Sequence, residues 1–128
     1  MPPFADSVLW LLVLLQVKHA LADFGFLTPY MLENRMKYGH PGGLLHVAVH
    51  LAGSAVAFLA VGTSAGPAAA LLVAEGVFHY HLDYVKARWT RSSGKTASDP
   101  GYWYALGADQ LLHQLSYLAI AAWWAGAV

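Results

Sequence analysis

The chain has no cysteine and few charges. Without Cys there can be no disulfide scaffold, no thiolate nucleophile and no zinc site that needs thiolate, which leaves His, Asp and Glu as the strong ligand types. Any metal is bound through nitrogen and oxygen. Only 11% of residues are charged against 58% hydrophobic, far from an average soluble composition, so the bilayer is the expected solvent. Seven Lys and Arg balance seven Asp and Glu, which removes both the basic surface of a nucleic-acid-binding protein and the acid excess of a disordered tail. No nucleic-acid partner is expected. There is no repeat at a solenoid period, and 128 residues make one domain, residues 1–128.

Four stretches approach the roughly 20 apolar residues that cross a bilayer: Val8 to Leu27, Leu44 to Val61, Ala68 to Lys86 and Tyr104 to Trp124. The first reads as a retained helix rather than a signal peptide, because Asp6 precedes it with no Lys or Arg and Lys18, His19 and Asp23 interrupt its second half. Residues 62–67 form a tight turn that makes the second and third spans antiparallel neighbours. After the first span, Thr28 as N-cap, Pro29 at the first helical position and Gly39 as a stop predict a short interfacial helix, with Met31, Leu32 and Met36 in lipid beside Arg35 and Lys37. The polar stretch from Ala87 to Trp103 reads as a loop. The expected fold is all-α: a polytopic four-transmembrane-helix bundle with a short interfacial helix between helices 1 and 2. Arg35, Lys37, Lys86, Arg88, Arg91 and Lys95 all lie on one side, so both termini are expected outside and both long connections in the cytoplasm.

Ionisable residues within spans cost roughly 2.5–3.5 kcal/mol each at the helix centre, so they ask for a reason. The first span carries His19-x3-Asp23, the second His46-x3-His50, the third Glu75-x3-His79-x3-Asp83 and the fourth Asp109-x3-His113. Each series places its members on one helix face, one turn apart. Counted from the cytoplasmic ends, Asp23, His46, Asp83 and Asp109 form one layer and His19, His50, His79 and His113 a second, one turn deeper, with Glu75 deeper still. All four helices aim this stripe at the same half of the membrane. Hydrogen-bonded packing alone would more naturally use Ser, Asn or Gln. The eight residues in the two layers are therefore the expected metal ligands, and Glu75 the expected general base. Imidazole with carboxylate suits a divalent transition metal, zinc first, with iron, manganese or nickel as alternatives. His81 and His40 read as bystanders. Lys18, on a different face from His19, is expected to snorkel or to form an interhelical ion pair.

The motifs Lys18-His19-Ala20-Leu21-Ala22-Asp23-Phe24, Leu45-His46-Val47-Ala48-Val49-His50, His79-Tyr80-His81-Leu82-Asp83-Tyr84-Val85-Lys86 and Asp109-Gln110-Leu111-Leu112-His113 occur in this order along the chain. In this the sequence resembles a bacterial and phage membrane family, the domain-of-unknown-function family numbered 3307. The resemblance implies a small helical inner-membrane (cytoplasmic-membrane) protein with a His/Asp set and supplies no activity; where a Gln is expected after the first motif, this chain has Leu27. More distantly the architecture is similar to inner-membrane proteins described as metal-dependent hydrolases. The site itself suggests a metal-dependent hydrolase open to the cytoplasmic leaflet, with Arg88, Arg91 and Lys95 at the mouth favouring an anionic lipid or phosphoester substrate. The alternative is a non-enzymatic metal or proton carrier or channel. Few polar residues lie in the outer halves of the spans, which favours a one-sided pocket over a pore, although a homo-oligomer could build a pore between protomers. A third reading is a helper protein that acts through membrane partners.

Overall fold

The structure, a computed structural model, describes residues 4–128 and contains five α-helices, one π-helical turn and, among the described residues, no strand. Helix α1 (Phe4–Ala20) runs into the π turn (Leu21–Gly25); α2 (Pro29–Asn34), α3 (Pro41–Ala60), α4 (Ala65–Ser93) and α5 (Pro100–Ala127) follow. The four long helices pack in a ring, α1 and α4 each touching α3 and α5, while α2 lies against α3. Two stretches, Phe4–Gly25 and Pro41–Ala60, are long and apolar enough to cross a membrane by length and composition.

Helix starts follow their capping chemistry. Thr28 accepts a hydrogen bond from the Met31 amide (3.3 Å) and is followed by Pro29, as the sequence suggests for α2. His40, read as a loop bystander, is the N-cap of α3: its Nδ1 accepts from the Gly42 amide at 3.0 Å, and Pro41 occupies the first helical position. The stretch from Ala87 to Trp103 is corrected from loop to mostly helix, with α4 running to Ser93 and α5 starting at Pro100. Nothing from Ala87 to Ser93 breaks a helix. Gly94, in the left-handed region at φ 65°, ends it. The remaining turn is closed by Asp99, whose Oδ2 accepts from the Thr96 amide at 2.8 Å, and by Trp103, whose Nε1 donates to the Ala97 carbonyl at 2.7 Å.

Burial is inverted relative to a soluble bundle. Trp10, Val13 and Val17 of α1, Val56 and Leu59 of α3, Val73, Val77 and Val85 of α4, and Leu111, Leu115 and Leu118 of α5 are exposed, while Lys18, Glu75, Asp83, Asp109 and five His are buried. The interior has two storeys. At the end holding the start of α1 and the end of α5 an apolar core forms from Leu11, Leu15, Phe58, Leu71, Ile120 and Trp124. Trp124 belongs to this core, donating to Thr63 Oγ1 at 2.7 Å, whereas Trp10 and Trp123 are exposed. The other storey is polar. Met31, expected in lipid, is buried instead, because α2 docks onto the first turn of α3.

That docking needs glycine. A Cβ at Gly42 would stand 2.7 Å from the Tyr30 carbonyl oxygen and 2.8 Å from Asn34 Cβ, and one at Gly43 3.2 Å from Arg35 Cα. Two adjacent glycines let the α2 backbone approach this closely.

Candidate metal centre

The polar storey is built by the i, i+4 series of all four long helices. The rings of His50 and His79 lie 3.9 Å apart between centroids, His79 and His113 4.2 Å, His46 and His50 4.7 Å, and His19 and His113 5.1 Å. His19, His46, His50, His79 and His113 are all buried. The π turn carries Asp23, and its wider backbone closes with the Phe26 amide on the Leu21 carbonyl at 2.8 Å.

Two carboxylates gather the imidazoles. Asp83 Oδ2 stands 3.3 Å from His46 Nε2 and 3.2 Å from His79 Nε2, and Asp83 Oδ1 3.4 Å from His113 Nε2. Asp23 Oδ1 stands 3.3 Å from His46 Nε2 and 2.9 Å from His50 Nε2, and Asp23 Oδ2 3.3 Å from His19 Nε2. Two sets of potential ligand atoms result: Asp23, His46, His50 and His79, and, sharing His79, the set His79, Asp83 and His113.

The spacing suits ligation. A charge-assisted N–H···O contact closes to about 2.7–2.9 Å. The edge of a tetrahedron with metal–ligand bonds of about 2.0–2.1 Å is about 3.3–3.4 Å. Most of the Nε2–carboxylate distances fall in the second range, and His46 Nε2, His79 Nε2, His113 Nε2 and Asp83 Oδ2 are buried without a hydrogen-bond partner.

His113 sharpens the point. Its Nδ1 lies 2.9 Å from the Asp109 carbonyl oxygen, which can only accept, so Nδ1 carries a proton and the neutral imidazole turns its Nε2 lone pair to Asp83 Oδ1. Two acceptors that face each other in a buried site call for a cation between them. One proton would satisfy one such pair. A divalent ion satisfies the imidazoles and the carboxylate together, so the residues present fit a metal.

The remaining expected residues take other places. His19 is engaged at both nitrogens, Nδ1 with Tyr117 Oη and Nε2 with Gln110 Oε1, each at 2.9 Å. Asp109 lies outside both ligand sets, its Oδ1 buried without a hydrogen-bond partner and 3.7 Å from His113 Nδ1. Glu75 contacts no imidazole; Oε1 accepts from the Lys18 ammonium across the diagonal of the bundle, and Oε2 has no partner. Lys18 Nζ in turn stands 3.5 Å from His50 Nδ1. His81 sits on the outside, between Tyr38 and the Val77 carbonyl.

Sequence reasoning missed two residues here. Gln110 ties three groups together, accepting from His19 and donating to Asp23 Oδ2 at 3.0 Å and to Asp109 Oδ2 at 3.2 Å. Tyr117 fixes the His19 ring, and its signal was present, since it extends Asp109-x3-His113 by another four residues.

The family model described as Protein of unknown function (DUF3307) matches residues 11–127, nearly the whole chain. No curated protein and no solved structure matches it.

Proposed function

The chain belongs to the DUF3307 family, which brings no activity with it, and from its own centre we propose an integral membrane metal-dependent hydrolase acting on a lipid-linked or phosphoester substrate from the cytoplasmic leaflet. The observation that carries the metal reading is the His113 Nε2 lone pair set against Asp83, beside the unpartnered Nε2 atoms of His46 and His79. Four membrane spans are supported by the apolar exteriors of α4 and α5, which match those of α1 and α3. Glu75, His79, Asp83, Asp109 and His113, which lower the hydropathy of α4 and α5, are buried, while Arg88 and Arg91 are exposed toward the end of α4.

A bound divalent ion, zinc first, would supply Lewis acidity and a water activated near neutral pH. The protein's own residues do the rest. His46, His79, His113 and Asp83, with Asp23 and His50, offer the ligands. The Asp109 carbonyl orients His113, and Gln110 with Tyr117 orients His19 against Asp23. Asp109, left out of both ligand sets with a free Oδ1, is the proton acceptor. Glu75 is a positioning residue: it anchors the Lys18 ammonium beside His50.

The carrier reading meets an obstacle in the apolar storey, where Leu11, Leu15, Phe58, Leu71 and Ile120 fill the bundle beyond the centre. An ion path would need polar groups there. The test is to incubate metal-loaded protein with cytoplasmic-leaflet phospholipids and lipid-linked phosphates and follow products by mass spectrometry. Turnover that falls about 10²–10⁴-fold in Asp109→Asn, with metal retained, supports the hydrolase. Loaded protein that releases no product, yet moves the ion across liposomes, overturns it in favour of a carrier.

A further inference from the structure

Beside the centre, α2 and the residues after it, α4 and the start of α5 border an open cavity of about 300 Å³ whose lining includes Arg35, Lys86, Thr90, Arg91 and Tyr102 together with Leu32 and Met36. Three cations line it and no carboxylate does. Among the described residues none of Arg35, Lys86 and Arg91 is in an ion pair. Arg35 Nε is buried without a hydrogen-bond partner, and Arg91 Nη1 finds only the thioether of Met36, at 3.8 Å. Arg35 and Lys86 repel one another, Asp83 and Asp109 attract Lys86 only from beyond ion-pair distance, and a buried guanidinium N–H left unpaired is costly. Both faults are repaired by one anion.

The fold makes the arrangement deliberate. Gly42 and Gly43 admit the α2 backbone and its C-cap Arg35 to close contact with α3. Lys86 follows Asp83 by three residues on α4, about 4.5 Å along the axis, so the cavity adjoins the metal centre. Its size sits at the lower bound of ligand pockets, about 300–1,000 Å³, and leaves room for a phosphate group. Arginine supplies the planar donor fork that phosphate oxygens accept, and lysine the point charge.

We propose that Arg35, Lys86 and Arg91 form a phosphate-binding pocket that holds the anionic group of the substrate next to the metal centre. This deepens the hydrolase reading and rests on it for the word substrate; the pocket itself does not depend on the metal. Leu32, Met36 and Ala87 on its wall leave room for either a lipid phosphate, with its chain in the bilayer, or a soluble phosphate monoester.

The test uses the full chain in phosphatidylcholine nanodiscs, stripped of metal by a chelator. Phosphatidic acid added to the nanodisc and glycerol 3-phosphate added to solution form two separate titrations, read by ³¹P NMR line broadening and native mass spectrometry. Saturable binding in either titration supports the pocket, and the titration that saturates names the source. Lys86→Gln and Arg91→Gln should each weaken it about 10-fold or more, and Arg35→Gln likewise. Lys37→Gln, whose ammonium bonds Asn34 outside the cavity, should change it less than twofold. All three cavity variants should take up metal like the wild type. The proposal falls if neither phosphate binds, if the α4 variants bind as tightly as the wild type, or if Lys37→Gln weakens binding equally. Phosphate binding that appears only with metal, and is indifferent to the cavity variants, would overturn the pocket while leaving the metal centre standing. Should Arg35→Gln loosen α2, the two α4 variants decide alone.

Discussion

Removing His79 is the sharpest test of the metal centre, because His79 is the member shared by both sets of ligand atoms. A four-ligand zinc site holds its ion with an apparent free energy of roughly 10–16 kcal/mol, so one ligand in four is worth about 2.5–4 kcal/mol, or about two to three orders of magnitude in affinity. His79→Ala should therefore lose metal whichever set is occupied. The neighbouring variants then separate the two sets. Asp23, His46, His50 and His79 as the working set makes His50→Ala as damaging as His79→Ala and spares His113→Ala; His79, Asp83 and His113 as the working set reverses that pattern. The assay is metal per chain by inductively coupled plasma mass spectrometry after dialysis against chelator-buffered zinc, with thermal unfolding in parallel. Metal that stabilises the wild type should stop doing so in the variants that have lost it. His40→Ala, an N-cap loss of about 1 kcal/mol, should lower the thermal transition and keep the ion. Wild-type metal content in His79→Ala, or metal-free wild type as stable as loaded protein, would return the histidines to a hydrogen-bonded packing role.

Three further outcomes follow from the geometry. Lys18→Met alone strands the Glu75 carboxylate and should destabilise the fold by about 3–5 kcal/mol, whereas Lys18→Met with Glu75→Gln should recover much of that loss, measured as urea or detergent unfolding midpoints. Gly42→Ala should displace α2, since its Cβ meets the Tyr30 carbonyl at 2.7 Å, at an expected cost of about 1–3 kcal/mol and with increased hydrogen exchange over residues 29–34. Cys introduced at Ser93 should be labelled by impermeant reagent only from the cytoplasmic side and Cys at Ser64 only from outside, because the cationic ends of α2 and α4 set the orientation; reversed labelling would move the site to the other face.

The spacing of the polar residues carried much of this centre in plain view. His19, Asp23, His46, His50, His79, Asp83 and His113 converge because each helix repeats its polar residue every four positions and the lengths of the helices set a common level. Local spacing was silent on pairings made across the bundle. Nothing near Lys18 announces Glu75, 57 residues on. Gln110 is neutral and solitary, the kind of residue that packs against any helix, and only the third dimension shows its partners, whereas Tyr117 continues the four-residue series of α5. The charges after Lys86 disguised the last two turns of α4 as loop, although a helix that outruns the hydrocarbon keeps its backbone bonds in water as readily as in lipid. Arg35 read as one more interfacial cation; the signal that it turns inward was the Gly42-Gly43 pair, whose small size has meaning only once α2 is laid against it.

The diagonal pair of Lys18 with Glu75 also sets a timetable. On the four-span reading, α1 leaves the ribosome first and enters the bilayer with an ammonium that costs roughly 2.5–3.5 kcal/mol near the helix centre. Its carboxylate partner lies 57 residues later, about 3–11 s at roughly 5–20 residues per second. During that interval α1 is a poorly held span, free to slide until its lysine reaches the headgroups. The α3–α4 hairpin brings Glu75 into the membrane and ends the wait. On that reading the third long helix gates biogenesis, and a chain truncated before Glu75 should be cleared by membrane proteases faster than one truncated after it.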